Sequence, residues 1–466
     1  MGKQKRHMQG GRGEAFLALV RGVPQERILA VGIDVHKYFH QAGIHNGYGE
    51  VVEPTFRVGI FKANFDELCK VIDRAVERTG AEVVFIGMEP TGHYYENLAQ
   101  HLLLRYPHVR LVNSYAVKQN RDQKMLPHEK TDEIDCCAIG DLLLRNECFP
   151  YQPLSGNYLH LQQWTRYREA KEKSRTALRN QIIGHLDRIF PGLVRPNQPT
   201  GAAPPQLFTS LWKSKMAQRL IHLCPDPHQL AALEPVDLVE LFEEHNYRLG
   251  MTTAKRIVDF ARQVLLPDLE AISARLPILQ CDLALLEALD TTIEHAEKQM
   301  AHYLVGTKGQ ILTQIKGIGT LRAAAYIAGI GDPDQYEHAG QTFRRSGLVS
   351  GRHDSGIHQR GGANSHITKV GDAHLRRGLV EITRGLCQWQ PYFGRYRDRL
   401  MARGKHKGVA TVATARKING VLFALVRDQT EFEPLDKHGR PMPPMHSLRK
   451  NADEATTDMD PGETLV

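Results

Sequence analysis

Three short apolar runs near the amino end decide the fold: ILAVGID at residues 28–34, FHQAGIH at 39–45 and VVEPTFRVG at 51–59. Each has the length of a strand and polar turns separate them, the pattern of an antiparallel meander. Further along, FKANFDELCKVIDRAVERTG (61–80) reads as helix, AEVVFIGMEP (81–90) as strand, YYENLAQHLLLRY (94–106) as helix and VRLVN (109–113) as a short strand. A basic loop through Lys130 then leads into a helix over residues 131–145. The order βββαβαβα is that of the α/β ribonuclease-H-like nuclease fold, a likeness of architecture that confers no activity by itself.

Beyond residue 150 the pattern changes. LHLQQWTRYREAKEKSRTALRNQIIGHLDRIF (159–190) is a charged amphipathic helix with Leu178, Ile182 and Leu186 on one face, and the Pro- and Gly-rich RPNQPTGAAPPQ (195–206) ends it. A later helix carries Leu276, Leu279, Leu283, Leu286, Ile293 and Met300 at spacings of three, four and seven, with Asp290 on an expected apolar position. These helices can pair with each other or with a second copy of the chain, or simply pack within a helical domain. ILTQIKGIGTLRAAAYIAGIGD (311–332) opens a mainly α region, and its KGIG followed by an apolar helix resembles a helix-hairpin-helix turn facing DNA phosphate through Lys316, Gly317 and Gly319. The resulting division is a basic flexible amino end (1–27), a nuclease-type domain (28–150), a helical or coiled-coil middle region (151–310), a DNA-handling domain (311–432) and a disordered tail (433–466) poor in large apolar residues.

With 466 residues the chain suits several domains, and 41% hydrophobic and 24% charged residues suit a soluble protein. No stretch approaches the roughly 18 uninterrupted apolar residues of a membrane span, and the amino end has no apolar signal core, so a cytoplasmic protein without membrane partners is expected. The seven cysteines include no CxxC pair and read as reduced structural thiols. The net charge of +8 is modest, but Arg344, Arg345, Arg352, Arg360, Lys369, Arg376 and Arg377 fall within a region with few acids, the strongest candidate for phosphate contact. Few aromatics are interleaved, which favours backbone contact over base reading.

Four acids stand out. Asp34 ends the first strand, Glu89 ends the fourth, and Asp132 and Asp135 begin the helix at 131–145, one turn apart on one face. Strand ends and helix starts gather at one edge of an open sheet, where clustered carboxylates repel unless a divalent cation lies between them. Mg²⁺ or Mn²⁺ is the natural occupant for phosphate chemistry. Taken singly, each acid is as readily a cap or a helix-dipole partner.

VGIDVHK (31–37), GMEPTGHYYENLAQHL (87–102) and KTDEIDCCAIGDLL (130–143), together with IKGIGTLRAAAYIAGIGD (315–332), FRRSGLVSGRHDSG (343–356) and ITKVGDAHLRRGLVE (367–381), resemble the IS110 and IS1111 group of insertion-sequence transposases. The resemblance covers both ends of the chain in order; the middle region is longer than in that group. It implies a RuvC-like domain whose Asp-Glu-Asp-Asp quartet, here Asp34, Glu89, Asp132 and Asp135, binds divalent metal. It further implies a nucleophilic serine just before a glycine, which falls on Ser355, and a covalent phosphoserine intermediate. By the same resemblance the partners are double-stranded element ends and target, a structured guide RNA, and further copies of the chain in a dimer or tetramer. The alternative is a metal-dependent RuvC-like nuclease that hydrolyses branched DNA with the acids alone.

Overall fold

A computed structural model describes residues 11–90, 92–124, 131–194, 207–349 and 366–433. The chain divides between Pro153 and Leu154 into two compact units.

The amino-terminal unit is a six-stranded sheet of order β3-β2-β1-β4-β5-β6. β1 (Ile28–Val35), β2 (Phe39–Asn46) and β3 (Val51–Gly59) form the expected antiparallel meander. β4 (Val83–Met88) and β5 (Val109–Val112) run parallel to β1, and the short β6 (Cys148–Pro150) closes the other edge antiparallel to β5. The helices are α1 (Gly11–Val20), α2 (Lys62–Thr79), α3 (Tyr95–Leu103), α4 (Ser114–Lys124) and α5 (Asp132–Leu144). This mixed α/β sheet is compatible with a ribonuclease-H-like domain of the DEDD type.

Two elements differ from expectation. Residues 11–20, expected as part of a flexible amino end, are helical: Phe16 stacks on Phe85 with ring centroids 5.2 Å apart, and Leu19 and Val20 pack beside it. Residues 114–124, expected as a basic loop, are also helical. Their apolar content is small, and polar ties hold them: Asn120 Nδ2 donates to Asp141 Oδ2 at 2.6 Å and Arg121 Nη1 to Asp135 Oδ1 at 2.7 Å.

β1 is buried on both faces, and its period of two sorts its side chains. Leu29, Val31, Ile33 and Val35 share a core with α2 and α3, whereas Ile28 and Ala30 share one with α5. The latter face continues through Gly32 to Asp34. An added Cβ at Gly32 would lie 2.1 Å from the Cys136 carbonyl oxygen, so this glycine lets α5 lie against the strand. Gly32→Ala is therefore expected to cost roughly 1–3 kcal/mol by overpacking. A lowered denaturant midpoint, accompanied by weaker metal binding as the start of α5 is pushed off the sheet, would verify it.

In the second unit, α6 (Gly156–Ile189) lies antiparallel to α11 (Leu269–Val305), so the two long helices pair within one chain. Arg168 Nη2 lies 2.6 Å from Glu297 Oε1, Arg175 Nη1 2.9 Å from Asp290 Oδ1, and Gln181 Nε2 donates to Asp282 at 2.9 Å. Asp290, the break in the apolar repeat, thus serves as an ion-pair partner inside the hairpin. Leu178, Ile182, Leu186, Leu279, Leu283 and Leu286 form the core of its far end with α7 (Lys215–Leu223), α8 (Pro227–Ala232), α9 (Pro235–Glu244) and α10 (Met251–Gln263).

The near end of the hairpin contributes Leu161, Met300 and Leu304 to the core of the carboxy-terminal helices α12 (Thr320–Ile330), α13 (Ala339–Arg345), α14 (Ala373–Trp389), α15 (Pro391–Ala402) and α16 (Lys407–Asp428). α16 is long and apolar enough to cross a membrane by length and composition, yet half of its apolar window is buried in this core. There Asn419 accepts from Tyr326 Oη at 3.2 Å and donates to the Ala339 carbonyl at 2.9 Å.

Candidate metal centre

Asp34 lies on the α5 face of β1, and Glu89 follows Met88, the last residue of β4 paired with β1. Thr131 caps α5 by accepting from the Ile134 amide, which fixes the first turn bearing Asp132 and Asp135. Strand alternation and capping together bring Asp34 and Asp132 to one edge.

The tightest group consists of Asp34, His36 and Asp132, whose ligating atoms all lie within 4.8 Å of one another. His36 Nε2 is 3.0 Å from Asp34 Oδ2 and 3.9 Å from Asp132 Oδ1. Burial holds the Asp34 carboxyl above its ordinary pKa; His36 pulls it down, and Asp135 and Asp132 push it up again. A buried carboxylate with further acids close by is a donor set suited to a hard divalent cation. Asp135, 9% exposed, is paired to Arg121.

Neither His36 nor Arg121 was singled out from sequence. His36 had a signal: two residues beyond Asp34 at the end of a strand, it returns to the same face. Arg121 had none, because its helix itself was not anticipated. Arg121→Ala is expected to lower stability by roughly 2 kcal/mol, since it strands a little-exposed Asp135 carboxylate beside two others. Thermal melts should reveal the loss, and Mn²⁺ should recover part of it by supplying positive charge to the same cluster. An unchanged melting temperature would remove Arg121 from this role.

The cysteines do not join this group. Burial pushes the Cys136 thiol up to about 12, and it donates to the Gln41 carbonyl at 3.2 Å, while Cys137 Sγ lies 3.3 Å from His45 Nε2.

In the second unit the KGIG turn follows a 3₁₀ helix, Lys308–Gln314, in place of the first helix of a full hairpin. Gly317 adopts φ 106°, and an added Cβ would meet the Gly385 carbonyl oxygen of α14 at 3.0 Å, so this glycine serves packing. Gly319 caps α12 and is open to solvent, and Lys316 Nζ lies 5.1 Å from the Trp389 ring centre.

Ser355, Arg352 and Arg360 lie outside the described residues. The chain on either side of them is tied together: Arg376 Nη1 donates to the carbonyls of Ser346 at 3.1 Å and Lys369 at 3.2 Å. The Thr368 amide donates to the Val349 carbonyl at 2.9 Å. Arg376 thus staples the flanks of the serine segment, with its guanidinium engaged on backbone carbonyls. Arg377 pairs with Glu381 at 3.0 Å, and Arg344, Arg345 and Lys369 are exposed.

A family model described as "Transposase", of the DEDD type in the IS110 group, matches residues 31–191, and a second, "Transposase IS116/IS110/IS902 family", matches 309–397. The first spans the whole carboxylate cluster and the second spans both flanks of the serine segment. This chain belongs to the IS110 family of transposases.

It is 31% identical over 154 residues to a "Probable family 20 transposase" of Pseudomonas aeruginosa, covering 32% of this chain and 44% of that protein. It is 30% identical over 123 residues to the "Insertion element IS110 uncharacterized 43.6 kDa protein" of Streptomyces coelicolor, covering 26% and 30% of the two chains. The match to the "Insertion element IS116 uncharacterized 44.8 kDa protein" of Streptomyces clavuligerus is 26% over 313 residues, or 66% of this chain and 73% of that one. The first two alignments span less than half of those relatives.

Proposed function

We propose that this IS110-family chain is a DNA recombinase that excises and inserts a mobile element, with Asp34, Glu89, Asp132 and Asp135 holding Mg²⁺ or Mn²⁺ and Ser355 acting as nucleophile. The observation that carries the reading is the convergence of Asp34, Asp132 and His36 within 4.8 Å at the end of β1. A bound divalent cation would offset the negative charge that develops on a reacting phosphate. Asp34 and Asp132, joined by Glu89 and Asp135, would hold it, and His36, hydrogen-bonded to Asp34, would orient that carboxylate.

In the serine step the Ser355 Oγ attacks phosphorus, the bond from phosphorus to the 3′ oxygen breaks, and the departing oxygen takes up a proton as a 3′ hydroxyl. The strand is left as a phosphoserine ester, so bond energy is conserved and a new 3′ hydroxyl can reverse the step without ATP. Arg352 and Arg360 flank Ser355 in sequence and would neutralise phosphate charge, while Arg376 positions the segment. Target choice would rest with a structured guide RNA pairing to element ends and target. Copies of the chain in a dimer or tetramer would supply the carboxylates and the serine to one strand exchange.

The test is incubation of the purified protein with Mg²⁺, the element's non-coding RNA and a labelled, pre-nicked element-end DNA. A denaturation-resistant protein–DNA adduct is expected. Recombined DNA without that adduct would overturn the serine mechanism in favour of hydrolysis or direct transfer by the carboxylate site.

A further inference from the structure

The face of the sheet opposite the acids carries a second feature. A cleft of about 700 Å³ opens between the β1–β2 turn, the start of α2 and α3. The turn connects it to the metal centre residue by residue: His36 reaches Asp34 on one face while Lys37 lines the cleft on the other. His40, the register partner of Val35, sits in the lining with 6% exposure, and its Nδ1 has no hydrogen-bond partner among the described residues. A buried polar atom without a partner is costly and points to a ligand that completes it.

The rest of the lining has a consistent chemistry. Phe61 is 74% exposed beside the half-buried ring of Tyr94, so apolar ring faces meet solvent at the mouth. Lys37 and Lys62 are exposed there and outnumber the one lining carboxylate, Asp66. Open ring faces with two cations and a buried polar atom in the lining are what one nucleotide requires: a base to stack, a phosphate to neutralise and a base edge to hydrogen-bond. The volume falls within the roughly 300–1,000 Å³ of small-ligand sites.

We infer that this cleft binds one unpaired nucleotide, its base against Phe61 and Tyr94, its phosphate at Lys37 and Lys62, and its base edge at His40. A single strand passing over the β1–β2 turn would thereby be gripped next to the Asp34–Asp132 pair. The inference rests on the reading of this unit as a DNA-handling one, but it needs no metal, so the two are tested separately.

The experiment titrates the full chain, in EDTA, into a short single-stranded DNA carrying 2-aminopurine at successive positions. Emission should fall at one position as the base stacks. Phe61→Ala should weaken binding roughly tenfold, the scale of one stacked base lost. Lys62→Ala should weaken it less and flatten its salt dependence. Both side chains are exposed, so melting temperatures should match the wild type. Competition by millimolar dAMP would assign the site to nucleotides in general, and failure of dAMP to compete against an intact Phe61 effect would assign it to a strand. Equal quenching at every position, affinity within twofold of wild type in both variants, or the same Phe61 dependence with a blunt duplex would each overturn the inference. Binding in EDTA with its Phe61 dependence intact, beside an Asp34→Asn variant that cleaves element-end DNA as the wild type does, would leave this site standing and defeat the metal reading instead.

Discussion

Asp34→Asn is expected to reduce metal-dependent strand cleavage by about a thousandfold or more while leaving the fold intact. Asparagine keeps the shape of the side chain and an oxygen for His36, but it removes the charge that would hold a hard cation in the proposed site. Metal stabilisation of a phosphoryl transition state amounts to several kcal/mol, and each 1.36 kcal/mol is about a factor of ten in rate. Burial and the neighbouring acids already raise the Asp34 pKa, so the native carboxylate is held under repulsion. Removing its charge should leave the melting temperature unchanged or slightly higher without metal, as with other functional groups that cost stability. Lost cleavage with retained stability is therefore the signature, read from a labelled-strand assay beside a thermal melt. Cleavage within tenfold of wild type at saturating Mg²⁺ would remove Asp34 from the centre.

The second large effect is expected at Ser355. Ser355→Ala should abolish the denaturation-resistant adduct and recombination while leaving Mn²⁺ binding at Asp34 and Asp132 unaltered. Alanine deletes the only hydroxyl between Ser350 and Ser365, so no neighbour in that segment can substitute. A weak nucleophile such as serine acts only when positioned, and the ties of Arg376 to Ser346 and Lys369 hold the ends of that segment at fixed spacing. If Ser355→Ala still cleaves the strand at the wild-type rate and water is incorporated into the product, the acids work by hydrolysis and the serine is incidental.

Much of the first unit was legible because local rules acted alone. Alternating apolar runs gave the meander, and the Gly80 left-handed cap ended α2 where the pattern stopped. The Thr131 cap began α5 one residue before Asp132. The acids could be named from their places at strand ends and a helix start. α1 and α4 were not legible, because Phe16 finds its partner Phe85, and Arg121 its partner Asp135, only across the fold. The pairing of α6 with α11 was one of two choices left open by the same heptad-like spacing. Arg175 opposite Asp290 and Gln181 opposite Asp282 favour the intrachain choice.

A βββαβαβα order with acids at strand ends and a helix start could be read from the chain alone, because strand period and capping are local properties. Which acids lie close together depends on packing across the fold. Asp34, His36 and Asp132 converge because Gly32 lets α5 lie on β1, and Asp135, close enough to act on Asp34, is also paired with Arg121. Those distances depend on contacts between segments about a hundred residues apart, and no local propensity sets them. For the same reason the basic residues divided in a way their spacing could not foretell, Arg376 onto backbone carbonyls and Arg344 toward solvent.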